Sequence, residues 1–96
     1  HPTDIEGINL AIEAGVDVLV HTTIGEGETA WDAALIERML SGGMALVPTL
    51  MLFPYELNRA QLAARVVERA TGDAVEQVSA YADAGGQVLF GTDVGY

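Results

Sequence analysis

The chain has 96 residues and a net charge of −10, from 14 acidic residues against four arginines and no lysine. A surface this acidic repels phosphate backbones, which disfavours nucleic-acid binding. The absence of lysine excludes a Schiff-base or phosphate-gripping lysine within these residues. The absence of cysteine excludes disulfides, thiolate catalysis and zinc-finger sites, and assigns no redox compartment.

Half the residues are apolar, enough to bury a core, and no apolar run is long enough to cross a bilayer. At this length the chain is one small domain or a piece of a larger one.

In chain order, Thr3-Asp4-Ile5-Glu6 reads as a capping box, with Thr3 as the cap and Glu6 reaching back. Ile5, Ile8, Ala11 and Ile12 recur at helical spacing, which predicts a helix over residues 4–14. Gly15 is placed to end it in a left-handed turn. Val16 to Val20 is a short β-branched run, expected to be a strand buried on both faces. A polar, glycine-containing loop follows from Thr22 to Ala30. Its Gly25-Glu26-Gly27 resembles a phosphate loop only superficially, because the central acid argues against an anion.

Trp31, Ala34, Leu35 and Leu40 predict a second helix over residues 31–40, ended by Gly42-Gly43. Met44 to Val47 is the next strand, and Pro48 stops its ladder where proline is tolerated. Thr49 to Asn58 reads as a mostly apolar loop. A helix is expected from about Arg59 to Ala70, a break at Thr71-Gly72, and a new helix capped by Asp73 with Glu76 that runs to about Ala84. Gly85-Gly86 ends it, and Val88-Leu89-Phe90 is the last strand.

Three times, then, a helix ends in glycine, a short buried strand follows, and the strand ends on a polar or proline residue. This alternation predicts parallel β/α units. Three such strands alone leave two open edges and an uncovered face. A closed (β/α)₈ barrel takes roughly 250 residues. The economical reading is an α/β fold that forms the C-terminal part of a TIM-type (β/α)₈ barrel, with no second domain.

Chemistry in such folds sits where strands give way to loops. His21 closes one strand, Asp93 follows another, and His1 opens the chain before a helix. Neutral imidazole and ionised carboxylate suit zinc and similar divalent ions. A carboxylate at Asp93 could also move a proton from water to a leaving amine. A single histidine at a strand end is more often an ordinary hydrogen-bonded side chain, and Asp93 could equally cap a following helix. The three together, at the same end of successive β/α units, carry more weight than each alone. Thr22 and Thr23 either orient His21, line the mouth or cap the loop. Met51, Phe53 and Tyr55 either line a substrate pocket or pack against a neighbouring loop.

The stretches His1-Pro2-Thr3-Asp4-Ile5-Glu6-Gly7, Gly15-Val16-Asp17-Val18-Leu19-Val20-His21-Thr22 and Val88-Leu89-Phe90-Gly91-Thr92-Asp93-Val94-Gly95-Tyr96 resemble the amidohydrolase superfamily. The branch they resemble contains imidazolonepropionase and dipeptidase-like metal hydrolases. The resemblance spans the whole chain and implies a run from the end of the fifth barrel strand to the end of the eighth. It implies that His1 and His21 bind a metal centre of one or two ions, zinc foremost. It implies that Asp93 binds metal and shuttles protons. Tyr55 and Thr22, at the same mouth in the barrel reading, are the candidate substrate contacts. It further implies hydrolysis of a C–N bond in an amide, dipeptide or cyclic amide. The family's first-strand His-x-His pair and fourth-strand carboxylated lysine or glutamate have no counterpart in these residues, so the matched residues are only part of such a site.

Two other readings stay open on the residues alone. One is a non-catalytic half-barrel that packs against the remainder of a barrel or another copy of the chain. The other is a metal-free barrel enzyme that uses His21 and Asp93 as an acid–base pair.

Overall fold

The computed structural model describes residues 1–23 and 30–93. The glycine-containing segment Gly25-Glu26-Gly27 and the terminal Val94-Gly95-Tyr96 lie outside the described residues. The described elements are α1 (Ile5–Glu13), β1 (Val18–Val20), α2 (Ala33–Ser41), β2 (Ala45–Val47), α3 (Leu52–Arg59), α4 (Ala64–Asp83) and β3 (Gln87–Val88). The strands form one parallel sheet in the order β1-β2-β3. The predicted α/β class and parallel order hold.

Helices α1, α2 and α4 each end in the same device. Gly15, Gly43 and Gly85 have φ of 70°, 66° and 94°. Each donates its N–H to the carbonyl three residues back, and the next residue donates to the carbonyl five back. This is the Schellman arrangement. It satisfies carbonyls left over at each helix end and reverses the chain into the following strand.

The register pairs Leu19 with Leu46, and Leu46 with Val88, so these side chains share a face. Leu19 and Leu46 are buried there with Ile8, Trp31, Leu35, Ile36, Met39, Met44 and Tyr81 in one core. Tyr81 anchors it. Its phenol donates to the carbonyl of Met44, its ring meets that of Trp31 edge-on at 6.4 Å, and burial raises its pKa above the usual phenol value. The opposite sheet face is less well covered. Val18 is 42% exposed there, so the expectation of a strand buried on both faces is corrected for β1. The reason is physical: β1 has a strand neighbour on one side only, and the core cluster of α1, α2 and α4 gathers on the Leu19–Leu46 face.

Other boundaries shift for identifiable reasons. Asp4, not Thr3, caps α1, accepting from the Gly7 N–H at 2.7 Å; aspartate is at least as good a cap as threonine. Asp32 caps α2 through the Leu35 N–H, which leaves Trp31 outside the helix and free to turn into the core. The expected loop at 49–58 contains α3. Its Pro54 lies in the first turn, where a missing N–H costs nothing. The expected break at Thr71-Gly72 is absent, and Asp73 lies inside α4. Thr71 donates its hydroxyl to the Val67 carbonyl within the helix, and an exposed mid-helix glycine costs only ~1 kcal/mol against alanine. The last strand is Gln87–Val88. Leu89 still donates to the Leu46 carbonyl at 2.8 Å, but Phe90 is 93% exposed. No described helix is long and apolar enough to cross a membrane.

Replacing Tyr81 by phenylalanine deletes the buried donor to Met44 while keeping the ring. The expected cost is about 1–3 kcal/mol, the penalty for a buried acceptor left unpaired. Urea unfolding of the two proteins measures it, and an unchanged midpoint contradicts the anchoring role.

Candidate functional site

Parallel strands deliver their C-terminal ends to one rim. At that rim His21 follows β1, Thr49 follows β2 and Asp93 lies beyond β3. All three have left-handed backbones, with φ of 72°, 45° and 55°. Non-glycine residues reach this region at a cost of order 1–3 kcal/mol each, and such outliers gather at functional sites. For Thr49, β-branched, the conformation is a clear outlier.

His21 is buried and held twice. Its backbone N–H donates to the Val47 carbonyl at 2.8 Å, continuing the β1–β2 ladder. Its ring Nδ1 lies 2.5 Å from the Thr49 hydroxyl. Its Nε2 lies 3.7 Å from Oδ2 of Asp93, whose side chain is 44% exposed. The ring of His1 meets that of His21 with centroids 4.1 Å apart at 65°. The structure therefore brings together His1, His21 and Asp93. Gly91 permits the approach of the segment carrying Asp93, because a Cβ there would run into the side chain of Val47.

The His21 pKa falls below its ordinary value. Burial is the main cause, and the Asp93 carboxylate opposes it. Burial thus favours the neutral imidazole, the form that ligates metals.

Thr22 and Thr23 diverge. The Thr22 hydroxyl is buried with no hydrogen-bond partner among the described residues. Thr23 is pinned to α4. Its N–H donates to Oε1 of Gln77 at 2.9 Å, and Nε2 of Gln77 donates to its carbonyl at 2.7 Å. The Trp31 indole N–H donates to its hydroxyl at 3.0 Å. Neither threonine hydrogen-bonds the His21 ring; Thr49 does. Tyr55 sits exposed on α3, joined to the cluster by no hydrogen bond or ring contact among the described residues, and Phe53 is buried.

The sequence reading missed Thr49 and Gln77. Thr49 follows Pro48 at the end of the middle strand, so the strand-end rule that found His21 pointed to it as well. Gln77 carried no such signal: it lies mid-helix, and only the packing of α4 on the sheet brings it to Thr23.

The donor chemistry fits a borderline divalent ion. Two donors that each lie ~2.0–2.2 Å from one tetrahedral ion stand roughly 3.3–3.6 Å apart. The 3.7 Å between His21 Nε2 and Asp93 Oδ2 is close to that spacing and beyond hydrogen-bond length. No group of three potential ligands among the described residues is arranged to hold an ion by itself.

No protein-family model matches this chain, and no curated protein matches it. Among solved structures, the chain is similar to a crystal structure of a Xaa-Pro dipeptidase with methionine bound in its active site. The TM-score is 0.73 at 22% identity, over 98% of this chain and 23% of that one. The chain thus spans about a quarter of the length of the protein it matches. The likeness is one of fold: three parallel strands with their helices, corresponding to a fragment of a larger barrel enzyme.

The lowered His21 pKa gives a signed pH dependence for the metal-free chain. The unfolded chain binds the proton more readily, so this contribution is complete above pH 6.5 and is lost as pH falls through that value towards the folded pKa. Urea midpoints of wild type and His21→Gln across this range isolate it. The wild-type advantage is expected to shrink on acidification; an advantage that grows contradicts the burial argument.

Proposed function

We propose that this chain is part of a metal-dependent hydrolase of C–N bonds, of the amidohydrolase type. The substrate class is an amide, dipeptide or cyclic amide. The observation that carries the reading is the gathering of His1, His21 and Asp93 at one sheet rim. The likeness of fold to a Xaa-Pro dipeptidase supports it.

In this reading His1, His21 and Asp93 hold a divalent ion, zinc foremost, and further ligands come from outside these residues. When bound, the ion would supply Lewis-acid polarisation and lower the pKa of a water towards ~7. The chain's own residues do the rest. His21, held at Nδ1 by Thr49, turns Nε2 towards Asp93. Asp93, more exposed than His21, takes a proton on its carboxylate and returns it to the departing nitrogen. Thr22, with its buried unpaired hydroxyl, is a candidate donor to the substrate. Tyr55 on α3 is a candidate for the outer wall.

The domain assignment belongs to the same proposal: residues 1–96 run from the end of the fifth barrel strand to the end of the eighth. The incompletely covered sheet face (Val18, Val20 and Val47) and the exposed Phe90 are surfaces that the rest of a barrel would cover. They equally suit a half-barrel that assembles with another chain.

In the protein that contains this chain, Asp93→Asn is expected to lower kcat by about 10²–10⁴-fold, the range for a lost general acid–base. His21→Ala is expected to lower bound zinc, measured by elemental analysis, and to abolish turnover of dipeptide amides. Full activity of Asp93→Asn, or activity that survives exhaustive chelation, contradicts the proposal.

A further inference from the structure

Neutral imidazole carries one ring proton, and the two nitrogens of His21 have unequal surroundings. Nδ1 has an oxygen at 2.5 Å, the Thr49 hydroxyl. Nε2 has the Asp93 carboxylate at 3.7 Å, too far for a hydrogen bond. A proton on Nε2 would point towards a carboxylate that lies beyond hydrogen-bond length. A proton on Nδ1 meets the Thr49 oxygen at 2.5 Å.

The backbone supports the same assignment. Thr49 holds φ at 45°, a conformation that glycine or asparagine would adopt more readily. What threonine offers in return is a hydroxyl beside the imidazole. The Leu52 N–H donates to the Thr49 carbonyl at 2.9 Å, fixing the turn into α3 that aims the side chain.

We propose that Thr49 is the positioning residue of His21: its hydroxyl accepts the Nδ1 proton, fixing the ring's tautomer and presenting the Nε2 lone pair towards Asp93. The tautomer assignment stands on the geometry alone; its use in holding an ion rests on the proposed function. Ligating histidines characteristically donate their second ring N–H to such a partner, and losing the partner costs about 10–100-fold in metal affinity.

The test is long-range ¹H–¹⁵N NMR of the metal-free full chain, followed by zinc titration of the protein containing it. Wild type and Thr49→Ser are expected to show a protonated Nδ1 and an unprotonated Nε2 at His21. Thr49→Val keeps the shape without the hydroxyl. It is expected to shift the ring towards the other tautomer and to weaken zinc about 10–100-fold. A protonated Nε2 in wild type overturns the proposal whether or not Thr49→Val folds. So does an unchanged tautomer ratio in a Thr49→Val chain with native circular dichroism. The expected tautomers with no zinc bound by wild type uphold the Thr49 assignment and sink the metal-hydrolase reading instead.

Discussion

The arrangement depends on one constraint: strands paired in parallel must all end at the same rim. Leu46, at the centre of the sheet, fixes this. It is registered with Leu19 on one side and Val88 on the other, and it is fully buried against the helices. Shifting either neighbour by one residue would turn its side chains to the wrong face. Register therefore places residues far apart in sequence within a few ångströms of one another. His21 and Thr49 touch across 28 positions because β1 and β2 are in step.

The rim is then held from outside the sheet. Gln77 presents its amide to both backbone groups of Thr23, much as a neighbouring strand would, while Trp31 grips the hydroxyl of the same residue. These bonds lie two residues from His21. They connect the core around Tyr81 and Trp31 to the backbone that carries the imidazole. Left-handed backbone at His21 and Thr49 is tolerable because ladder, core and turn bonds fix the neighbouring segments.

Much of this was legible in the sequence, and the exceptions are instructive. Helix ends were readable because Gly15, Gly42-Gly43 and Gly85-Gly86 signal a local, chemically specific turn. The parallel order followed from the alternation of helix and apolar strand. The ends of Val16–Val20 and Val88–Phe90 were overdrawn, because apolar composition does not reveal where pairing stops. The break at Thr71-Gly72 was wrong because the threonine hydroxyl found a partner inside the helix and the long amphipathic face of α4 outweighed one glycine. In the candidate site, strand-end position pointed to His21 and Asp93, which the fold places 3.7 Å apart, and the ring of His1 meets that of His21. Strand-end position could not assign their partners. Thr49 and Gln77 act through contacts 28 and 54 residues distant, which only the packed fold supplies.

The central claim is that His21 and Asp93 face one ion. A crystal structure of the protein containing this chain, grown with zinc and recorded across the zinc absorption edge, tests it most directly. The account predicts an anomalous peak within ligand distance, ~2.0–2.2 Å, of both Nε2 of His21 and a carboxylate oxygen of Asp93, with Nδ1 still on Thr49. A zinc peak bound elsewhere, with Nε2 of His21 and the Asp93 carboxylate pointing into separate environments, would contradict it.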